Sequence, residues 1–226
     1  MSTLSRGPAW ADIMPRPKPL LRVFAGISAV HLIGLLAGLD WLDDLTKPLL
    51  MPALAAYAAS RKAPRLLTAA LLCGWAGDVL LQFGSTVQFL AGMGCFAAGH
   101  VCYLLLFRAR PGLWVAVGYA VVWAGLVAAL WTGLDGALRI PIGLYSLLLA
   151  AMACCATELG RTAAAGGALF FVSDGLIATD LADWPQLPLA SFWVMATYLG
   201  AQYLLTDGVL REQHTVRPQS VQPVTS

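Results

Sequence analysis

Residues 61–84 read RKAPRLLTAALLCGWAGDVLLQFG. Three basic residues, Arg61, Lys62 and Arg65, precede an apolar run of about 20 residues, the length a helix needs to cross the hydrocarbon core of a bilayer. Leu, Ala and Gly dominate the run, and no period-2 alternation marks it as a strand. A single charge, Asp78, lies inside it. The stretch therefore reads as a membrane-spanning helix with a basic end and a carboxyl group buried partway along.

The pattern recurs along the chain. Apolar segments fall at roughly 20–39, 46–60, 66–84, 87–107, 112–133, 138–157, 162–181 and 188–209, separated by charged clusters. The second is short enough that the lipid would thin around it or the helix would stand upright. The fold expected is all-α, an eight-helix transmembrane bundle. Composition agrees: of 226 residues 59% are hydrophobic and 12% charged, about half the charged share of a soluble domain. Mean hydropathy is +0.73. Fourteen basic and twelve acidic residues are too few to cover a soluble fold of this size. The net charge of +2 lacks the strong basic face of a nucleic-acid binder, so no nucleic-acid partner is expected. Cys73, Cys95, Cys102, Cys154 and Cys155 sit in apolar runs without metal or redox spacing and read as small packing residues.

Lys and Arg set the orientation. With eight spans and the N-terminus inside, Arg6, Arg16, Lys18, Arg22, Arg61, Lys62, Arg65, Arg108, Arg110, Arg161, Arg211 and Arg217 fall on the cytoplasmic side, and only Lys47 and Arg139 fall outside. That bias predicts N-in and C-in. Asp40, Asp43, Asp44, Asp135, Asp180 and Asp183 then lie outside. Residues 1–19 form a polar, Pro/Arg-rich cytoplasmic tail with no signal-peptide pattern. Residues 20–210 form the membrane domain, and 211–226 a disordered cytoplasmic tail. Gly34 with Gly38, Gly74 with Gly77, Gly92, Gly94 and Gly99, and Gly166 with Gly167 read as thin faces for close helix packing. Trp10, Trp41, Trp114, Trp131 and Trp184 lie near span ends, as interfacial anchors do.

Depth, counted from the nearest cytoplasmic charge at about 1.5 Å per residue, sorts the polar residues within spans. Asp78 follows Arg65 by 13 residues and Asp174 follows Arg161 by 13. Lys47 precedes Arg61 by 14, Tyr145 precedes Glu158 by 13, and Tyr198 precedes Arg211 by 13. Five polar groups on five helices thus share a level in the outer half of the membrane. His100, Gln202 and Tyr103 lie deeper. Asp78 and Gln82 share a helix face, as do His100 and Tyr103, and Tyr198 and Gln202; Ser173 points about 100° from Asp174. Intramembrane ionisable groups are costly and mark sites more often than packing. Bland readings stand beside this one. Lys47 could snorkel to the surface, either aspartate could pair with it only to hold helices together, and Tyr145 could be packing.

Two carboxyl groups in different surroundings can divide acid and base roles, which suits reactions through an oxocarbenium-like cation. Their depth implies a lipid substrate, with Lys47, together with His100 or Gln202, holding an anionic headgroup. No GxSxG elbow or phosphate-cradling glycine loop is present, and neither metal nor cofactor is expected, the alternative being a metal held by Asp78, Asp174 and His100. A rival reading is a proton-coupled transporter or lipid carrier using the same Asp/Lys cluster. Against it, no prolines break the helices near Asp78 and Asp174, and Pro48 falls at a helix start. The strings around Asp78 and Asp174 echo one another four spans apart, which fits a parallel 4+4 internal pseudo-repeat or coincidence equally.

Thr46-Lys47-Pro48, Gly77-Asp78 with Leu80-Leu81, Phe96 with Gly99-His100 and Tyr103, Ser173-Asp174, and Thr197-Tyr198 with Ala201-Gln202 occur in this order. The set resembles the YhhN-type lysoplasmalogenase family over about residues 30–207. The resemblance implies an eight-span enzyme that hydrolyses the vinyl-ether bond of lysoplasmalogens; high Ala, Gly and Arg usage points to a bacterial source, and so to an inner-membrane location. Fatty aldehyde and glycerophosphoethanolamine or glycerophosphocholine would be the products. It implies Asp78 and Asp174 as catalytic residues. Lys47, Gln82, His100, Tyr103, Tyr145, Ser173, Tyr198 and Gln202 are the candidate contacts to the lysophospholipid.

Overall fold

The computed structural model describes residues 19–216, so most of the expected N-terminal tail, with Trp10, and the end of the C-terminal tail lie outside the described residues. Among the described residues there are eight α helices and no strand: α1 (Pro19–Leu36), α2 (Asp40–Ser60), α3 (Arg65–Leu81), α4 (Thr86–Phe107), α5 (Leu113–Leu130), α6 (Gly136–Ala156), α7 (Arg161–Leu181) and α8 (Ala190–Val216). Each falls on one of the eight expected segments. α8 continues past residue 210, where the sequence suggested a disordered tail to begin.

α1, α4, α5, α6 with the short 3-10 turn that follows it, and α7 are long and apolar enough to cross a membrane. Of the others, α3 has 17 residues, α2 carries Asp40, Asp43, Asp44 and Lys47 in its first half, and α8 carries Thr197, Gln202, Thr206 and Asp207. Large apolar side chains on the outside, such as Ile33, Leu105, Val121 and Leu144, form a surface that lipid covers and water would not tolerate. α5 is the extreme case, with only Leu130 buried.

Neighbouring helices close a ring in the order α1, α2, α3, α4, α6, α7, α8 and back to α1, while α5 lies outside against α6. The tightest pairs are α3 with α4 and α7 with α8. Small residues cause this. A Cβ on Gly77 would stand 2.5 Å from the Phe96 ring of α4, and one on Gly166 would stand 2.8 Å from the Leu205 backbone nitrogen of α8. Gly167 brings α7 equally close to Ala153 of α6. Gly94 meets nothing, so it is no packing contact. Gly38 does not share a helix face with Gly34, because α1 ends at Leu36 and Gly38 takes a positive φ of 68° in the turn to α2.

α2 departs most from expectation. It starts at Asp40, so Asp43 and Asp44 are helical rather than loop residues, and Pro48 and Pro52 lie inside the helix, not at its start. Proline lacks an N–H, so each frees the carbonyl four residues back. Side chains from α3 and from Gln82 just past its end cover both. The Trp75 indole donates to the Pro48 carbonyl at 2.9 Å, and the Gln82 amide reaches the Asp44 carbonyl at a long 3.5 Å. α2 and α3 are thereby joined along the edge that carries Lys47 and Asp78. α3 and α7 run unbroken past their aspartates.

Candidate active site

A cavity of about 120 Å³ lies among α2, α3, α4, α6, α7 and α8. All five residues expected at one depth line it: Lys47, Asp78, Tyr145, Asp174 and Tyr198. Ser173 joins them, and the rest of the wall is apolar, including Phe89, Met93, Phe96, Ile142 and Ile177.

Each aspartate receives a phenol. Asp78, 4% exposed on α3, accepts a hydrogen bond at Oδ2 from the Tyr198 hydroxyl of α8 at 2.9 Å. The Tyr198 oxygen in turn accepts from the Gln202 amide at 3.3 Å, and Gln202 Oε1 accepts from the Tyr103 hydroxyl of α4 at 2.7 Å. Helical spacing puts Tyr198 and Gln202 on one face of α8. Gly74, one turn before Asp78, admits them: its missing Cβ would sit 3.0 Å from the Tyr198 hydroxyl and 3.1 Å from the Gln202 amide.

Asp174, on α7, accepts at Oδ2 from the Tyr145 hydroxyl of α6. His100 Nε2 of α4 lies 3.2 Å from the same hydroxyl oxygen. Tyr145 spends its proton on Asp174, and His100 Nδ1 is buried without a partner. Only the neutral tautomer protonated at Nε2 leaves no buried N–H unpaired, so His100 donates to Tyr145. Both arms therefore end with a hydroxyl proton aimed at a carboxyl oxygen. Phe170, one turn before Asp174, stands between them. Its ring packs edge-on against His100 at 4.8 Å and Tyr198 at 5.4 Å between centroids.

His100, Tyr103 and Gln202 do not reach the cavity wall. They line a small void behind it with Phe96 and Phe170, which fits their deeper expected level. Ser173 spends its hydroxyl on the Val194 carbonyl at 3.0 Å. Gln82 is absent from the wall, being drawn to the α2 backbone instead. Lys47 lines the cavity and lies 3.7 Å from Asp43, an ion pair rather than a hydrogen bond. Among the described residues no group of three or more His, Cys, Asp or Glu side chains is placed to hold a metal, and the five cysteines are free.

Sequence reading missed the apolar lining, since Met93, Ile142 and Ile177 look like any other membrane residues. It also left Asp43 among loop acids, although the Asp43/Lys47 spacing of four on one helix is a visible signal.

The chain is similar in sequence to known proteins. The human protein named Lysoplasmalogenase TMEM86B is 32% identical over 180 residues, covering 76% of this chain and 77% of that protein. The rat protein of the same name is 35% identical over 149 residues, covering 65% and 62%. A Mycobacterium tuberculosis protein named Lysoplasmalogenase is 32% identical over 177 residues, covering 71% and 66%. No solved structure matches. The sequence pattern of the YhhN family matches residues 42–209, from α2 into α8. The chain belongs to the YhhN family.

Proposed function

We propose that this protein is an integral-membrane ether hydrolase that cleaves the vinyl-ether bond of lysoplasmalogens. The products are a fatty aldehyde and glycerophosphoethanolamine or glycerophosphocholine. One observation carries the reading: carboxyl groups from two separate helices, each held by a tyrosine hydroxyl, face one apolar cavity. The names of the relatives give the substrate class.

Asp78 and Asp174 are the catalytic residues. One carboxylic acid gives its proton to the vinyl carbon farther from the ether oxygen, leaving an oxocarbenium ion at the nearer carbon. The other carboxylate takes a proton from water, whose oxygen bonds to that carbon and forms a hemiacetal. The hemiacetal hydroxyl then loses its proton and the carbon–oxygen bond to glycerol breaks. The glycerol oxygen takes up a proton, so the sum is one water consumed and both carboxyl groups restored. Tyr198 and Tyr145 orient the two carboxyl groups, backed by Gln202 with Tyr103 and by His100. The apolar wall takes the start of the alkenyl chain and keeps bulk water from the cation.

All eight helices cross the membrane with both ends on the cytoplasmic side, in a bacterial inner membrane. The twelve-to-two distribution of Lys and Arg supports the orientation. A parallel repeat of α1–α4 on α5–α8 is supported by neighbour pairs that map onto one another: α1/α2 on α5/α6, α2/α3 on α6/α7, α3/α4 on α7/α8, and α4/α6 on α8/α2.

The test is aldehyde release by the purified protein from a vinyl-ether lysophospholipid, compared with its saturated alkyl analogue. Release from the vinyl ether alone supports the reading. Release from neither sinks it.

A further inference from the structure

The outer end of the α1/α2 pair carries a second polar group, joined to the cavity through Lys47. His31 of α1 is fully enclosed, at 0% exposure. Its Nδ1 lies 2.8 Å from the Thr46 hydroxyl, which donates its own proton to the Leu42 carbonyl at 2.6 Å. Nδ1 must therefore donate, which leaves Nε2 without a proton, 3.5 Å from Asp43 Oδ1 and not hydrogen-bonded to it. Neither Nε2 nor Oδ1 has a hydrogen-bond partner. Asp43 presents its other oxygen to Lys47 Nζ at 3.7 Å.

This is not an ordinary solvated acidic face. Asp40 and Asp44 are exposed, whereas Asp43 is turned inward with 24% of its side chain accessible. Lys47 is 21% accessible and belongs to the cavity wall. Asp43 does not line the chamber and stands beside Lys47 as its anionic neighbour. No donor among the described residues holds Asp43 Oδ1, and 3.7 Å leaves the cation without a tight hydrogen bond.

We propose that Lys47 and Asp43 form a headgroup subsite that reads a zwitterion: Lys47 takes the phosphodiester and Asp43 takes the ammonium. The proposal rests on the lysophospholipid reading above. The ligand carries the same two charges a short bridge apart, so it exchanges each partner of the resting ion pair for a new one of the same sign. A site with a lysine alone would favour anionic headgroups. The added carboxylate penalises them by repulsion and rewards an ammonium, which is how charge placement yields specificity. His31 and Thr46 hold one another behind the pair, and Asp43 Oδ1 keeps its acceptor capacity for the ammonium.

Binding of non-cleavable 1-O-alkyl lysophospholipids to the full-length protein in detergent tests this. The lipids share one chain and carry either phosphoethanolamine or phosphoglycerol, and affinity is read by tryptophan fluorescence. The native protein should prefer ethanolamine. Lys47→Gln should weaken both lipids. Asp43→Asn should lower the ethanolamine-over-glycerol ratio by about two- to fivefold, and Asp43→Glu should recover part of it. Asp43→Asn weakening both headgroups equally would overturn the proposal, leaving Asp43 as a support for Lys47 only. So would native affinity in Lys47→Gln. If Asp43→Asn fails to fold, the native preference, Asp43→Glu and Lys47→Gln still decide the matter. Because binding needs no turnover, a headgroup preference without aldehyde release would sink the hydrolase reading and leave the subsite standing.

Discussion

Tyr198 gives its hydroxyl proton to Asp78 across 2.9 Å, joining α8 to α3 over a separation of 120 residues in the chain. The bond has a counterpart from Tyr145 to Asp174, between α6 and α7. The two aspartates are thus held alike at the near end and differently behind it. An amide and a second phenol back Asp78, and an imidazole backs Asp174. Two carboxyl groups in unlike settings are what an acid–base division requires.

Tyr198→Phe removes the donor to Asp78 and keeps the ring. A hydrogen bond to a charged group contributes about 1.5–3 kcal/mol, so kcat for aldehyde release should fall about tenfold to hundredfold. KM should change little, because the phenol is spent on Asp78. Steady-state kinetics on a vinyl-ether lysolipid separate the two; a pure KM effect would make Tyr198 a substrate contact.

His100→Phe separates stability from activity. The ring still packs on Phe170 and Tyr145, while the unpartnered buried Nδ1 disappears. The melting temperature should hold or rise. Aldehyde release should nevertheless fall several-fold, since Tyr145 loses the donor behind it. A lower melting temperature with native kcat would reverse the assignment.

Gly77→Val drives a side chain into the Phe96 ring, which also lines the cavity. Overpacking costs about 1–3 kcal/mol, to be read as a lower melting temperature together with lost activity. Gly94→Ala, on a position with no neighbour within 4 Å, should match the native protein in both.

Trp75→Phe strips the Pro48 carbonyl of its donor. One net hydrogen bond is worth about 1 kcal/mol, so the variant should melt a few degrees lower. Gln82→Leu should cost less, because its contact is long, and should leave KM unchanged because Gln82 does not line the cavity.

These residues also mark what could be read from the chain alone. Helix number and position followed from hydropathy, and counting residues from basic ends placed Lys47, Asp78, Tyr145, Asp174 and Tyr198 at one level; the same cavity holds them all. Depth is legible because rise per residue is fixed. Rotation and partner choice are not, since they depend on packing between helices distant in sequence. Gln82 shows this: one turn from Asp78 on the same face, it is drawn to a carbonyl that Pro48 leaves free on another helix. The start of α2 was misplaced because its acids looked like a loop, although a helix begun at Asp40 gains acidic side chains near its positive end.

The most direct measurement is aldehyde release from a vinyl-ether lysophospholipid by purified native protein, Asp78→Asn and Asp174→Asn, with each variant's melting temperature recorded. The account predicts release by the native protein and loss of at least a hundredfold, on the order of 3 kcal/mol of barrier, in both folded variants. Native turnover by either folded variant would contradict it.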